Sequence, residues 1–250
     1  MAVNGEQPKP CLVFLHGLLG TQADWQPIID RLPHFHCVSL DLPLHGAQKA
    51  AIVADFAQTC RYLAEKIQSA VGGNPYWLIG YSLGGRIALY YALQAQIERG
   101  HLQGLIIEGA NLGLHTEAEK QARWLSDQSW AQRFSTEPPS AVLNDWYQQP
   151  VFSHLSLVQR QALIEKRTPN CGVNIAQMLL ATSLAKQPNL VAKVRSTDLP
   201  IHFFCGEYDQ KFRAQAQQNQ LNLTLIQQAG HNAHLENPDD FAAKLTALLV

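Results

Sequence analysis

The chain of 250 residues predicts a single α/β domain over 1–250. A mostly parallel central sheet is flanked by helices, and a helical insertion over 111–195 separates two of its strands. Two observations carry this expectation. Short apolar runs alternate with longer helical patterns through most of the chain, and in the middle the alternation stops. The strand-like runs are Cys11–Leu15, His36–Leu40, Tyr76–Gly80, Leu102–Glu108, Ile201–Cys205 and Leu223–Ile226, each bounded by Gly, Pro, Asp or Asn. Val53, Phe56, Cys60, Leu63, Ala64, Ile67 and Val71 share one face, which predicts a helix over 52–71. Ile87, Ala88, Tyr91 and Ala92 predict another. At the C-terminal end, Asn237 reads as an N-cap and Pro238 as the first helical residue. Asp239 and Asp240 then fill the first turn, and Phe241, Leu245, Leu248 and Leu249 form the buried stripe. From about Asn111 to Arg195 the patterns are helical, with turns near Glu137–Pro139, Gln149–Pro150 and Pro169–Gly172. Such a stretch reads as a cap over a site, dependent on the domain because the sheet resumes at Ile201.

Composition narrows the class. The hydrophobic share of 46% is ample for a sizeable core. Lys and Arg number 19 against 20 Asp and Glu, a formal net charge of −1, so no bulk field points to nucleic acid or an anionic membrane. The five cysteines are odd in number and none is spaced CxxC, which predicts small buried thiols in a reducing compartment. The leading MAVNGEQPKP has no apolar core of a secretion signal, and no apolar run approaches the roughly 20 residues of a membrane helix. A soluble, cytoplasmic, monomeric protein is expected.

The most specific local signal is Gly80-Tyr81-Ser82-Leu83-Gly84-Gly85, lying between a strand-like run and a helical one. That is the strand–turn–helix setting of a GxSxG nucleophile elbow, where a strained serine needs neighbours without bulky side chains. It marks the α/β-hydrolase fold. His16-Gly17-Leu18-Leu19-Gly20 follows the first strand, where this fold takes one N–H of its oxyanion hole; the residue after the serine supplies the other. Here these are Leu18 and Leu83, with His16 read as a brace for the loop. The serine needs a base and the base an acid, in the order Ser, Asp, His. Asp209 and His231 each follow a late strand, at the end of the sheet where such sites are built. Glu207 and Glu108 stay open as alternative acids. Asp198 precedes its strand, at the wrong end. His234 reads as a cap or surface residue, and His34, His36, His101, His115, His154 and His202 have no motif context. No zinc or phosphate-loop pattern occurs.

Arg86 lies one helical turn beyond Ser82, where a lipase would have an apolar wall; a structurally paired arginine is the other reading. The insertion adds Arg123 and Arg167 with Trp124, Trp130, Trp146 and Tyr147. Arginine binds carboxylates bidentately, so this composition suggests an anionic cyclic substrate. The stretches DWYQQPVF (145–152), QRFSTEP (132–138), ATSLAKQPNL (181–190), GYSLGGR (80–86), CGEYDQKFR (205–213) and AGHNAHLENP (229–238) resemble one family, from about Cys11 to the C-terminus. It is the 2-succinyl-6-hydroxy-2,4-cyclohexadiene-1-carboxylate (SHCHC) synthases, lyases of menaquinone biosynthesis within the α/β-hydrolase superfamily.

The resemblance implies a triad of Ser82, Asp209 and His231, and substrate contacts from Tyr81, Arg86, Arg123, Trp146 and Arg167. It implies elimination of pyruvate from a small cyclic substrate bearing several carboxylates, with no metal or organic cofactor. Two departures accompany it. DLPLHG (41–46) has Leu44 where the superfamily commonly has glycine, and the chain before Cys11 is short, so a leading strand is expected to be rudimentary. Two other functions use the same residues: a carboxylesterase or thioesterase working through an acyl-enzyme, and a non-catalytic ligand receptor.

Overall fold

The computed structural model describes residues 10–250. The strands are β1 (Cys11–Leu15), β2 (Cys37–Leu40), β3 (Tyr76–Tyr81), β4 (Leu102–Glu108), β5 (Ile201–Gly206) and β6 (Leu223–Ile226). They form one sheet in the order β2-β1-β3-β4-β5-β6, and every pairing is parallel. The rudimentary strand expected ahead of Cys11 would fall on residues 1–9, outside the described residues. The helices are α1 (Gln26–Ile29), α2 (Phe56–Val71), α3 (Leu83–Leu93), α4 (Glu117–Thr136), α5 (Pro139–Trp146) and α6 (Leu157–Arg167). They continue with α7 (Gly172–Ala181), α8 (Val191–Ser196), α9 (Gln210–Gln218), α10 (Ala233–Glu236) and α11 (Pro238–Leu249).

A parallel sheet must be covered on both faces, because its crossover helices lie there. In β1, Cys11, Val13 and Leu15 face one core while Leu12 and Phe14 face the other. The first core takes Phe56, Cys60, Leu63 and Ile67 of α2 with Ile87, Ala88 and Tyr91 of α3. The second takes Trp25, Ile28 and the α11 residues Phe241, Ala242 and Leu245.

Helix starts follow local capping chemistry. The helix expected over 52–71 begins at Phe56, because Asp55 Oδ1 accepts the Gln58 N–H at 2.7 Å and ends the preceding extended chain. Thr116 and Glu119 form a capping box at α4, as do Ser156 and Gln159 at α6. Asn237 caps α11 through the Asp240 N–H, with Pro238 behind it.

Between β4 and β5 the chain is helical, from α4 to α8. This insertion has a core of its own, including Phe134, Leu143, Tyr147, Phe152, Ile164 and Ile175. Leu19, from the loop after β1, is the buried residue through which the sheet portion joins that core.

Several details depart from expectation. Cys11, Cys60 and Cys205 are buried thiols, but Cys37 is only half-buried and Cys171 is exposed at the start of α7. All are free thiols. Leu44 has φ 65, in the region that favours glycine, so the departure DLPLHG carries backbone strain of about 1–2 kcal/mol. Its side chain is buried in the first core, which offsets that strain. No helix among the described residues is long and apolar enough to cross a membrane.

Where α3 meets β1 the backbones pack closely. A Cβ on Gly84 would lie 2.4 Å from the Leu15 carbonyl oxygen and 2.5 Å from that of His16. Backbone cannot give way as a side-chain tip can. Gly84→Ala should therefore destabilise by about 1–3 kcal/mol, read as a Tm lowered by roughly 2–4 °C per kcal/mol. A Tm equal to the wild type's would show that α3 can lift from the sheet without penalty.

Candidate active site

Ser82 sits between β3 and α3 at φ 49 and ψ −107, a conformation that strains a residue with a side chain by about 1–3 kcal/mol. Its N–H donates to the Glu108 carbonyl at 2.8 Å, and its own carbonyl accepts the Arg86 N–H at 3.0 Å. The strand ladder thus passes into the helix across this single residue. The first N–H groups of α3, Leu83 among them, have no acceptor within the helix and carry its positive dipole end.

Asp209 and His231 follow the ends of β5 and β6. His231 Nδ1–H donates to Asp209 Oδ2 at 2.7 Å, and both side chains are buried. This bond fixes the tautomer, leaving the Nε2 lone pair available as a base. Asp209 also caps α9, its Oδ1 accepting the Phe212 N–H at 3.3 Å. The Phe212 ring stacks on His231 at 5.2 Å, and Phe152 from the insertion meets it edge-on at 5.7 Å. Gly109, at φ +56, leaves room for the imidazole: a Cβ there would lie 2.8 Å from His231 Cε1.

The alternative acids are engaged elsewhere. Glu207 Oε2 accepts the Gln228 N–H at 3.0 Å. Glu108 Oε2 lies 2.8 Å from His234 Nδ1, and that pair is buried. His234 is therefore no surface residue: its ring stacks on Trp25 at 4.3 Å in the second core.

The loop after β1 is braced by two buried histidines. The Leu42 N–H donates to His16 Nε2 at 3.0 Å, which puts the proton on Nδ1, and Nδ1–H donates to the Gly17 carbonyl at 2.7 Å. His45 repeats the pattern, with Leu19 N–H donating to its Nε2 at 3.3 Å and its Nδ1–H donating to the Pro43 carbonyl at 2.9 Å. Burial pushes His16 down to about 4 and His45 to about 3, His45 being lowered further by the neighbouring His16. Both stay neutral and hold Leu18 between them in the chain.

Ser82 and His231 line one cavity of about 140 Å³ together with Leu18, Leu83, Arg86, Arg123, Trp146 and Lys211. Arg86 is buried, donating to the Thr182 carbonyl at 2.8 Å. Desolvation first and the charge of Arg123 second push it down to about 9. Arg123 Nε donates to Asp127 Oδ1 at 2.8 Å, and Asp127 Oδ2 accepts the Ser183 hydroxyl at 2.7 Å. Lys211 is lowered by desolvation and by Arg123. Three cations therefore share one cavity wall. Among the described residues, no three His, Cys, Asp or Glu side chains are grouped to hold a metal ion.

Two expected substrate contacts lie elsewhere. Arg167 forms a two-pronged ion pair with Asp24, at 3.0 and 2.7 Å, and lines a separate cavity with Lys49, Lys166 and Cys171. Its long side chain at the end of α6 is drawn to the buried Asp24 carboxylate, away from Ser82. Tyr81 is buried beneath the site. Its hydroxyl donates to Asn232 Oδ1 and its ring packs on His231 at 5.3 Å. Sequence reasoning missed Lys211 and Asp127. Asp127 stands four residues after Arg123 on one helix, the spacing of an ion pair. Lys211 follows Asp209 by two residues, at the start of a helix that opens on the site.

Residues 10–238 match the family model described as alpha/beta hydrolase fold. A Haemophilus influenzae relative is 60% identical over 94% of this chain and 95% of its own length. The 2-succinyl-6-hydroxy-2,4-cyclohexadiene-1-carboxylate synthase of Serratia proteamaculans is 45% identical over 98% of this chain and 95% of its own. The solved structure of MenH from S. aureus superposes with a TM-score of 0.87 at 28% identity, covering 100% of this chain and 96% of that one. The chain belongs to the α/β-hydrolase family and, within it, to the 2-succinyl-6-hydroxy-2,4-cyclohexadiene-1-carboxylate synthases.

The histidine brace has a pH signature. In the unfolded chain His16 and His45 titrate near 6.5, whereas in the fold they resist protonation until about 4 and 3. Below pH 6.5 the unfolded chain therefore binds protons that the native one does not, and stability falls as pH drops from 6.5 towards 4. Urea unfolding midpoints measured across that range should decline, and the decline should be shallower in His16→Gln. An identical slope in the variant would show that His16 is not held neutral by the fold.

Proposed function

We propose that the protein eliminates pyruvate from 2-succinyl-5-enolpyruvyl-6-hydroxy-3-cyclohexene-1-carboxylate, giving the SHCHC product of the menaquinone pathway. Membership of the synthase family supports the reaction. The observation that carries it at the site is the set of three cations beside Ser82: Arg86, Arg123 and Lys211. The substrate bears a carboxylate on its ring, one on its succinyl arm and one on its enolpyruvyl group. An apolar pocket would impose several kcal/mol for each unpaired charge. Three preorganised cations remove that penalty and orient the reacting carbon.

In this reading Ser82 Oγ removes the proton at C2, next to the succinyl carbonyl, and passes its own to His231 Nε2. Asp209 holds the imidazole tautomer and stabilises the imidazolium. Charge gathers on the succinyl oxygen, where the Leu18 and Leu83 N–H groups donate to it. The C5–O bond then breaks with its electron pair, leaving double bonds at C2–C3 and C4–C5. The released enolpyruvate takes up a proton and ketonises to pyruvate. No acyl-enzyme forms and no cofactor takes part.

The 111–195 insertion acts as a cap, bringing Arg123 and Trp146 over the reacting ring. Tyr81 supports the imidazole from below rather than touching substrate, and Arg167 steadies the insertion against Asp24. This reading carries with it a cytoplasmic, monomeric enzyme acting on a small anionic molecule, without a nucleic-acid or membrane partner. The net charge of −1 supports the last of these, because no bulk field draws polyanions or an anionic membrane.

Purified protein given the enolpyruvyl substrate should release pyruvate, followed by a coupled dehydrogenase, far faster than it turns over a panel of simple esters. Fast ester hydrolysis with no pyruvate would overturn elimination in favour of acyl transfer. Arg123→Ala should lower kcat/KM by roughly 10- to 100-fold, the worth of a charged hydrogen bond, while the far-UV CD spectrum stays that of the wild type. Unchanged kinetics would remove Arg123 from the site.

A further inference from the structure

His231 is carried by a loop, residues 227–232 between β6 and α10. The backbone N–H groups on either side of it donate to one side chain. Gly230 N–H meets Glu236 Oε2 at 2.8 Å, and Asn232 N–H meets Glu236 Oε1 at 3.0 Å. Glu236 thus straddles His231, one carboxylate oxygen on the residue before it and one on the residue after. Hydrogen bonds to a carboxylate are about twice as strong as neutral ones. The loop's freedom to swing the imidazole is limited accordingly.

The same carboxylate reaches the insertion. His154 Nε2 lies 3.0 Å from Glu236 Oε1, with side chains only 14% and 11% exposed, so water screens the contact little. The His154 ring lies against Gly230, where a Cβ would come within 2.1 Å of Nε2. The residues just before His154 face inward. Gln149, Val151 and Phe152 line the cavity beside Ser82, and Phe152 touches the His231 ring. One short stretch of the insertion therefore touches three things: the cavity, the imidazole, and the carboxylate that holds the imidazole's backbone. Capping of a loop by Glu236 alone would need no group from the insertion.

We propose that Glu236 is a positioning residue for His231, and that His154 makes this positioning depend on where the insertion sits. The proposal rests on the reading of His231 as the base. A ligand that draws 149–152 onto the cavity tightens the clamp, so the base is fully aimed only when the insertion is seated.

Labelling of Ser82 by an organofluorophosphonate reads the aim of His231 without the native substrate. It is measured beside pyruvate release for Glu236→Gln, His154→Ala, His154→Gln and the double variant Glu236→Gln/His154→Ala. Glutamine has one acceptor oxygen where glutamate has two, so one N–H of the loop loses its partner. A misplacement of about 1 Å lowers rates roughly 100-fold. The expected result for Glu236→Gln is labelling about 10- to 100-fold slower with a parallel fall in kcat, while KM stays within about threefold. His154→Gln keeps a donor for Glu236 and should recover most of what His154→Ala loses. The double variant should lose less than the product of the single losses, because both act through one carboxylate.

A purely structural role would lower Tm and leave the rates of folded protein untouched. Glu236→Gln labelled at the wild-type rate overturns the positioning, and His154→Ala labelled at that rate overturns its dependence on the insertion. If Glu236→Gln does not fold, the two His154 variants decide the matter by themselves. Slowed labelling in the variants, with no pyruvate from the wild type, would uphold the positioning and sink the elimination instead.

Discussion

At the end of β3 the chain turns from strand to helix through one residue, and the surroundings leave no room for a wider turn. Gly84 rests on the Leu15 and His16 carbonyls, and Ser82 is held by the Glu108 carbonyl on the other flank. This close approach forces Ser82 into its strained conformation and lifts its side chain out of the sheet. It also sets the first N–H groups of α3 beside the loop after β1. Were α3 further from the sheet, Ser82, Leu83 and Leu18 would no longer line one cavity. The stable core beneath, with β1 and β3 buried on both faces, bears the strain.

Charge is arranged around that point in two shells. The cavity wall is cationic, with Arg86, Arg123 and Lys211. The carboxylates stand one step behind: Asp127 on Arg123, Asp209 on His231 and Glu236 on the loop that carries His231. Each acid is thereby satisfied before any ligand arrives, while part of each cation's capacity faces the cavity. An anionic molecule meets donors and no competing acceptor charge, the arrangement that electrostatic preorganisation requires.

Much of this was legible in the sequence, for identifiable reasons. Buried strands of a parallel sheet are continuous apolar runs, so all six were readable within a residue or so at their ends. The serine, acid and histidine each follow such a run, and fixed chain order did the rest. What could not be read was contact between distant segments. His234 looked superficial because nothing in its neighbourhood in the chain reveals Glu108, which lies 126 residues earlier. The resemblance put Arg167 among the substrate contacts, and its actual partner, Asp24, sits 143 residues away in the chain. His154 had no motif because its role lies in a carboxylate 82 residues downstream. Leu44 was noticed as a departure, but only the backbone angle shows that it occupies a glycine-like conformation.

The strand order also bears on how the chain comes off the ribosome. Strands β1 to β4 are contiguous in the sheet and are made first, but the partner of β4 is β5, which follows the whole insertion. Roughly 90 residues separate them, and at about 5–20 residues per second that is on the order of 5–20 s of synthesis. A β4 already paired with β3 in that interval would present Leu105, Ile106 and Ile107 along an unpaired edge, the kind of surface on which nascent chains aggregate. The insertion that brings Arg123 to the cavity thus lengthens the most vulnerable moment in the molecule's assembly.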